Sequence, residues 1–370
     1  MNLSILELCT SPNLGGLELY VINTIKAFQK YNVRSCLFVR KDSPLYEKAI
    51  EEKLPVNTIR KASRYLPLIS AWRLSQAIRK AKYNVIHVHW SKDISLAIWT
   101  KLFLGGNLRI VYTRQMELPG KKKDFYHNFI YRNIDLLITI TDRLRNQVLQ
   151  NTVLPQDRVV RLYHGVDKLE GVNRQACQEF RSKNSIDKDA FIVGLVGRIE
   201  EYKGQHILVG AIEHLAKKDV NVHGVIMGGA MDEAYLCNLK QRVEAGAAKD
   251  KITFLGFNPN PDRIMACFDT LVLTTRQETF GLVLIEAMSA GIPVIGTNAG
   301  GVPEIIEDNI SGLLFPADDA RALADRIQNY INNPELRMRC INNAFKEISE
   351  KFSRERHDSE LVTLFKQKIV

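Results

Sequence analysis

Short apolar runs alternate with segments of helical periodicity along the first half of the chain. The apolar run at residues 3–8 leads into a glycine-rich turn at residues 11–16, after which apolar residues recur at helical spacing. Further short runs, each separated by enough residues for a helix, lie at residues 35–39, 85–89, 109–113 and 136–140. Because parallel strands need crossover connections, this alternation predicts a parallel sheet covered by helices on both faces.

The pattern restarts in the second half and predicts a second unit of the same kind, with apolar runs at residues 191–196, 222–227, 252–255, 270–273 and 293–296. The polar segment 169–187 has no strand pattern, and we interpret it as the linker between domains 1–168 and 188–352. Helical spacing of Leu361, Leu364 and Phe365 predicts a terminal helix within residues 353–370 that packs on the first domain. The predicted fold class is α/β, with two Rossmann-like doubly wound domains facing a central cleft that binds ligands.

The composition is ordinary for globular domains, with 45% hydrophobic and 25% charged residues among 370. The six cysteines include no CxxC pair, so the sequence predicts neither a zinc site nor a disulfide framework, and we expect reduced, mainly packed thiols. No apolar run is long enough to span a bilayer, and the first eight residues lack a basic leader. These features predict a cytoplasmic protein.

Positive charge is concentrated in the first domain. Residues 1–168 contain 27 Lys and Arg and 13 Asp and Glu, a net charge of +14, in a chain whose total is +10. Basic residues stand beside aromatic residues in segments 60–82 and 121–127. This combination is typical of contact with an anionic membrane surface or an acidic acceptor, and also of a solvated helix face, so both interpretations stay open.

Two cations follow the first strand of the second domain. Arg198 and Lys203 lie in the loop after residue 196, where both side chains can reach the cleft. A fixed pair of cations there would neutralise charge that develops on a diphosphate leaving group. The alternative is a solvated surface loop, since Lys and Arg are mostly exposed in proteins.

The densest chemical signal lies between residues 274 and 295, where a strand runs into a glycine turn and then a helix that ends at Gly291. Glu278 precedes the helix, and Glu286 lies within it among apolar neighbours. Gly281 lets the backbone approach a ligand closely, and the free N–H groups of the first helical turn form an anion site. Because an acid in an apolar helix needs a partner or a ligand, we expect phosphate and ribose hydroxyls to bind here.

Four motifs carry a resemblance to a known family. They are Gly15-Gly16-Leu17-Glu18, Val196-Gly197-Arg198 with Lys203-Gly204, Glu278-x7-Glu286 with Phe280-Gly281, and Gly300-Gly301-Val302-Pro303-Glu304. Together they resemble the retaining nucleotide-sugar glycosyltransferases of glycosyltransferase family 4, which have the two-domain GT-B fold.

The resemblance assigns roles to individual residues and to the two domains. It implies that Arg198 and Lys203 hold the donor diphosphate, that Glu286 binds the nucleotide ribose, and that Glu278 contacts the donor sugar. It also implies that the backbone of Phe280, Gly281 and Leu282 meets sugar or phosphate, with the Gly15 and Gly16 turn against the phosphate from the opposite domain. The first domain would bind the acceptor and the second the donor.

Residues 113–115 depart from the family pattern, which often has a histidine where Gln115 stands. Gln115 cannot transfer a proton, but its amide can hydrogen-bond a sugar hydroxyl. His87 and His89 share one face of a predicted strand; because no third ligand lies nearby in sequence, we reject a metal site and expect His89 to contact substrate.

Asp187-Lys188-Asp189 matches the Asp-x-Asp motif of metal-dependent sugar transferases. It precedes a strand instead of following one, so we interpret the match as chance and predict no metal ligands.

Residues and resemblance together predict a metal-independent glycosyltransferase. It would move a sugar, with retention of configuration, from a nucleoside-diphosphate donor to a hydroxyl of a saccharide or lipid-linked saccharide. The donor is a co-substrate, no resident cofactor is expected, and the implied setting is polysaccharide, lipopolysaccharide or glycolipid biosynthesis, peripheral at the inner face of a membrane. The alternatives are a nucleotide-sugar epimerase or phosphorylase, and a basic non-catalytic protein that binds nucleic acid or membranes. Carboxylates beside the phosphate site count against nucleic acid.

Overall fold

The structure, a computed structural model, describes residues 3–60, 63, 65–169, 173–258 and 260–369. Parts of three predicted segments therefore lie outside the described residues, namely 170–172 of the linker, 61, 62 and 64 of the first basic segment, and 370 of the terminal segment. The chain divides into two compact units. Unit 1 is Met1–His164 with Glu355–Val370, and unit 2 is Gly165–Arg354.

The strands of the described residues are β1 (Ser4–Leu8), β2 (Arg34–Val39), β3 (Val56–Thr58), β4 (Val85–Val88), β5 (Arg109–Arg114), β6 (Leu136–Thr139), β7 (Val159–Arg161), β8 (Phe191–Val196), β9 (Val222–Met227), β10 (Ile252–Phe254), β11 (Thr270–Leu273), β12 (Val294–Thr297) and β13 (Leu313–Phe315). Most are nearly continuous apolar runs, as expected for parallel strands buried on both faces.

The helices are α1 (Gly16–Lys30), α2 (Pro44–Glu51), α3 (Leu68–Ala81), α4 (Ile94–Phe103), α5 (Phe125–Arg132), α6 (Asp142–Asn151), α7 (Arg174–Lys183), α8 (Gln205–Ala216), α9 (Glu233–Ala245), α10 (Pro261–Met265), α11 (Leu282–Ser289), α12 (Ala320–Asn332), α13 (Pro334–Glu347) and α14 (Arg354–Lys368). Several begin at a side-chain cap that accepts from the first turn, including Asp124, Thr141, Asp232 and Asp319. None of the described helices is long and apolar enough to cross a bilayer.

Each unit is built around one parallel sheet. The strand order is β3-β2-β1-β4-β5-β6-β7 in unit 1 and β10-β9-β8-β11-β12-β13 in unit 2. The order reverses between β1 and β4 in the first sheet and between β8 and β11 in the second, and ligands bind beyond the carboxyl ends of strands at such reversals. This architecture confirms the predicted α/β fold of two Rossmann-like units.

The terminal helix α14 is part of unit 1. Its side chains Leu361, Val362 and Phe365 are buried in one core with Phe28 of α1 and Val85 of β4. The Phe28 and Phe365 rings meet edge to face, with centroids 5.1 Å apart. Burial of several large apolar side chains makes this helix a component of the first core.

Two features of unit 2 correct the sequence interpretation. The segment predicted as a linker contains α7, which Arg181 holds in place by donating to the Ala190 carbonyl at 2.9 Å and to the Asp269 carboxylate at 3.2 Å. The expectation that all six cysteines are reduced is also wrong, because Cys177 of α7 and Cys267 form a disulfide. The two cysteines are 90 residues apart in sequence, so no spacing motif could reveal the pair.

Candidate active site

The loop after β8 is fastened to the loop after β11, across the reversal of strand order in unit 2. Thr274 Oγ1 donates to the Lys203 carbonyl at 2.8 Å. Gly204 follows with φ +72°, and a Cβ at this position would lie 2.4 Å from the Thr274 carbonyl oxygen. Glycine is therefore required here both for its backbone conformation and for the close approach of the two loops.

Lys203 and Glu278 are the pair of predicted site residues that the structure brings into direct contact. The Lys203 ammonium lies 2.8 Å from Glu278 Oε2, and both side chains are about four-fifths buried. Arg198 points differently: its guanidinium contacts Glu200 of the same loop at 3.0 Å, and its side chain is largely exposed. Arg198 therefore lies at the expected strand end, but it does not contact Glu278 as Lys203 does.

A glycine pair positions the backbone of Glu278. Gly301 N–H donates to the Glu278 carbonyl at 2.7 Å. Gly300 has φ +64°, and a Cβ there would lie 2.1 Å from the same carbonyl oxygen. The Gly300-Gly301 motif therefore allows the Glu278 loop to pack directly against the loop that follows β12.

Gly281 caps helix α11 with φ +104°, a conformation that favours glycine. No side-chain cap accepts from the first N–H groups of this helix, and a Cβ on Gly281 would lie 3.7 Å from Glu278 Cγ. Phe280 is buried, and its ring meets that of Phe352 with centroids 6.1 Å apart. The buried ring anchors the turn that leads into this helix start, and a helix start is a favourable place for an anion.

Glu286 lies one turn further along α11 and is half-buried. Burial raises the pKa of its carboxyl to about 7, and the charge of Asp262 raises it further, while Arg354 opposes the shift. Among the described residues no hydrogen bond or ion pair to this carboxyl is found. A carboxylate without a partner at a strand-order reversal is suited to accept hydrogen bonds from ligand hydroxyls. Sequence reasoning missed Asp262 and Arg354, because neither belongs to a motif.

In unit 1, Gly15 and Gly16 form the start of α1. Gly15 is the N-cap, and its N–H donates to the Glu18 carboxylate at 2.8 Å, as in a capping box. Both glycines are exposed. The side-chain-free helix start leaves room for a ligand phosphate at this strand end.

The structure places His89 in the interior of unit 1, where only 1% of its surface is exposed. Its Nε2 atom lies 2.5 Å from Glu7 Oε2, and the same oxygen lies 2.9 Å from His87 Nδ1. Burial lowers the pKa of His87 to about 3 and that of His89 to about 4, and it raises the pKa of Glu7. His89 in this state is a buried hydrogen-bonding partner of Glu7, with almost no surface for a substrate.

The argument that no third ligand accompanies His87 and His89 is corrected by this arrangement. Glu7 on β1 pairs in register with His87 on β4, so the sheet supplies the third group that the linear sequence hides. Potential ligand atoms of the three residues lie within 4.8 Å of one another. Their contacts are at hydrogen-bond distances, and His87 Nε2 is a further 2.7 Å from Thr113 Oγ1.

Gln115 directly follows β5 and is half-buried. Its Nε2 atom is enclosed and has no hydrogen-bond acceptor among the described residues. The amide is therefore at a strand end with an unused donor.

Asp187 and Asp189 lie before β8, at the end of the strand opposite to Arg198. Asp187 accepts from Asn221 at 3.1 Å and from the Asp189 N–H at 2.8 Å. These contacts explain the Asp-x-Asp match as a turn.

Two family models match the chain and together span most of it. Residues 14–168 match Glycosyltransferase Family 4, and residues 177–347 match Glycosyl transferases group 1. The N-acetyl-alpha-D-glucosaminyl L-malate synthase of Bacillus anthracis is 24% identical over 80% of this chain and 78% of its own length. The D-inositol 3-phosphate glycosyltransferase of Corynebacterium urealyticum is 25% identical over 99% of this chain and 94% of its own.

Solved structures show the same fold at lower identity. Anabaena Alr3699/HepE, crystallised with UDP and glucose, superposes with a TM-score of 0.85 at 22% identity, covering 99% of this chain and 100% of that one. A glycosyltransferase from Rickettsia africae superposes with a TM-score of 0.88 at 18% identity, covering 100% and 99%. These matches give no support to an epimerase, a phosphorylase or a non-catalytic binding protein. The chain belongs to the group 1 glycosyltransferases of family 4, and it is a glycosyltransferase with the GT-B fold.

Proposed function

We propose that this enzyme transfers a sugar from a nucleoside-diphosphate donor to a hydroxyl of a saccharide or lipid-linked saccharide, with retention of configuration and without a metal ion. The observation that carries the proposal is the Lys203–Glu278 contact at 2.8 Å, in the same turn region as the unpartnered carboxyl of Glu286. The ammonium of Lys203 suits a phosphate, and the carboxyl groups of Glu278 and Glu286 suit hydroxyls, so the set fits a ligand that has both.

Within this proposal the residues of unit 2 divide the donor between them. The N–H groups at the start of α11 and the ammonium of Lys203 bind the diphosphate, and the exposed guanidinium of Arg198 closes on it when the donor is present. Glu286 accepts from the ribose hydroxyls. Glu278 stays beside Lys203 and accepts from the transferred sugar.

The chemical step exchanges one bond to the anomeric carbon for another on the same face. The bond from that carbon to the diphosphate oxygen breaks, and its electron pair leaves with the diphosphate. The acceptor hydroxyl oxygen forms the new bond and gives its proton to the departing phosphate oxygen. Lys203 and Arg198 stabilise the negative charge that grows on the diphosphate, which is the role a metal ion has in other transferases.

Two kinds of relative support the donor and acceptor classes. HepE holds UDP and glucose in its crystals, which supports a nucleoside diphosphate and a hexose. A lipopolysaccharide core mannosyltransferase of Rhizobium meliloti, 24% identical over 82% of this chain, supports an acceptor in envelope saccharide assembly. In unit 1, Gln115 at the end of β5 has an unused donor for an acceptor hydroxyl that reaches this strand end, and the exposed Gly15 and Gly16 turn can meet a phosphate.

The test is nucleotide release from UDP-, GDP- and ADP-sugars, each with and without saccharide acceptors. We expect one nucleoside diphosphate to appear in amounts that depend on acceptor, together with a product that keeps the anomeric configuration of the donor. An inverted product would contradict retention. Release of free sugar 1-phosphate, or no nucleotide binding by calorimetry at all, would overturn the donor site.

A further inference from the structure

Exposed apolar side chains are concentrated in one part of unit 1. Nine of the eighteen exposed large hydrophobic side chains among the described residues lie between residues 65 and 125. Single exposed hydrophobic residues are normal on proteins, but a contiguous group of them marks an interaction surface.

Contacts join the segment just before α3 to the start of α5 and so bring the exposed apolar side chains of the two elements near each other. The Tyr65 and Tyr126 rings meet with centroids 5.6 Å apart, and Trp99 Nε1 donates to the Tyr65 carbonyl at 3.3 Å. Phe125, which begins α5, is 91% exposed. We call this surface the α3 strip; its members are Tyr65, Leu66, Leu68, Ile69, Trp72 and Phe125.

Helix α3 carries exposed apolar side chains near its start, opposite the face that it buries. Ala71, Leu74 and Ile78 are buried in the core of unit 1, whereas Ile69 and Trp72 on the other side are 70% and 52% exposed. A helix that needs only one apolar face for its own core normally carries polar residues on the other. The exposed apolar side chains at the start of α3 are therefore available to a partner outside this chain.

The segment that contains the α3 strip is rich in basic residues. Residues 60–132 contain 15 Lys and Arg against 3 Asp and Glu, so this fifth of the chain has a net charge of +12. Of the three acids, Asp93 is buried and Asp124 pairs with His127. Arg73, Lys80, Lys121 and Lys123 are exposed, and no ion pair to them is found within the described ranges.

We propose that the α3 strip docks on the surface of an anionic bilayer, with its aromatic and aliphatic side chains at headgroup depth and its cations on lipid phosphates. Trp, Tyr and aliphatic residues flanked by Lys and Arg are the combination that binds membrane interfaces. A second copy of this chain fits less well, because the exposed cations Arg73, Lys80, Lys121 and Lys123 of the two copies would repel each other. Docking is peripheral, and under the proposed function it would bring unit 1 to lipid-linked acceptors.

The test measures co-sedimentation of the full chain with vesicles of phosphatidylcholine alone and of phosphatidylcholine mixed with phosphatidylglycerol. We expect binding to the anionic vesicles to be at least about tenfold tighter, because each basic residue near such a surface contributes roughly fivefold. Binding should weaken as salt is added. Ile69→Ser with Trp72→Ser should reduce it about tenfold or more, since the apolar anchors are lost.

Matched controls distinguish docking through the α3 strip from non-specific adsorption of exposed hydrophobic side chains. Met338→Ser changes a side chain that is 56% exposed on α13 of unit 2 and should bind anionic vesicles like wild type. Trp fluorescence should shift to the blue with anionic vesicles, and Trp72→Phe should remove most of that shift.

Equal binding to both vesicle types, or wild-type binding by the Ile69 and Trp72 double variant, would overturn the proposal. A dimer in sedimentation equilibrium that dissociates in the double variant would assign the surface to a second copy instead. Calorimetry with nucleoside diphosphates in the absence of vesicles tests the donor site separately. Loss of nucleotide binding would remove the proposed function and leave membrane docking standing.

Discussion

Asp93 accepts hydrogen bonds from both the N–H and the hydroxyl of Thr10, at 2.7 and 2.5 Å, across 83 residues of sequence. Thr10 directly precedes the loop that carries Gly15 and Gly16, so this buried carboxylate holds the exit of β1 against the turn that follows β4. It is a local feature of the strand-order reversal in unit 1, where the ends of β1 and β4 lie side by side.

Asp93→Ala should therefore destabilise unit 1. It leaves the Thr10 N–H without an acceptor in the interior, and a buried unsatisfied donor costs roughly 1–3 kcal/mol. Urea unfolding should show the loss, and Asp93→Asn, which keeps one acceptor oxygen, should lose less at pH 4. An alanine variant as stable as wild type would show that the contact does not hold the loop.

The same residue gives a pH dependence. Burial raises the pKa of Asp93 to about 6, above its ordinary value of 3.8, so the folded state binds the proton more tightly than the unfolded state. Its contribution to the free energy of unfolding therefore falls as the pH rises from about 4 to 6. Asp93→Asn does not titrate, so between pH 4 and 7 it should gain up to about 3 kcal/mol relative to wild type. A constant difference across this range would contradict the raised pKa.

Lys203→Ala and Arg198→Ala should each lower turnover by roughly 10²-fold or more, because each removes charge stabilisation from the departing diphosphate. Thermal unfolding should change little for Arg198→Ala, whose side chain is largely exposed. Lys217→Ala, an exposed lysine of the same unit, is the matched control and should turn over like wild type. Normal turnover in both site variants would remove them from the donor site.

Glu278→Ala and Glu286→Ala should fail in different ways because they contact different parts of the donor. Glu286→Ala should weaken binding of the free nucleoside diphosphate about tenfold or more, since a hydrogen bond to a charged group is worth roughly 1.5–3 kcal/mol. Glu278→Ala should bind the free nucleotide nearly like wild type and lose turnover with the intact donor. Titration calorimetry with the nucleotide alone distinguishes the two effects. If both variants bind nucleotide and turn over like wild type, both glutamates have only a structural role.

Nucleotide affinity should rise with pH through the titration of Glu286. Its pKa is raised to about 7, and the ionised carboxylate accepts ribose hydroxyls better than the protonated one. Affinity should thus be about tenfold higher at pH 8 than at pH 6. Glu286→Gln should remove this pH dependence. A wild-type nucleotide affinity that does not change between pH 6 and pH 8 would show that the ribose does not bind at Glu286.

Turnover should survive EDTA, because the proposed charge stabilisation comes from side chains. Dialysis against chelator followed by the nucleotide-release assay tests this. Complete loss of activity that Mg²⁺ or Mn²⁺ restores would require a metal at the leaving group.

Periodicity predicted the longer buried strands within one or two residues at each end, as for β8 and β9. It missed β3, β7 and β13, which have three residues each and lie at or beside sheet edges. A three-residue strand shows little pattern of its own; β10, which has the same length, was predicted because Leu255 extends its apolar run. The disulfide of α7 was hidden for a similar reason, since its cysteines meet only in the folded unit.

Residues for a candidate donor site could be proposed from the sequence because they are close together along it and lie at strand ends. Glu278, Gly281 and Glu286 fall within one strand–turn–helix segment, and Lys203 follows the adjacent strand. Glu7 with His87 and Thr10 with Asp93 were not predictable. Both pairs form because β1 lies beside β4 in the sheet, although β2 and β3 separate them along the chain. The order of strands in a sheet cannot be read from a single sequence.

The boundary between the two units is crossed twice by the chain, after His164 and after Arg354. During synthesis on the ribosome, the whole of unit 2 therefore emerges before Leu361 and Phe365 become available to Phe28. The apolar side chains of unit 1 that contact α14 therefore stay uncovered while nearly two hundred further residues are translated. Helix α14 covers these side chains when it packs, so the core of unit 1 is completed only after unit 2 has been synthesised.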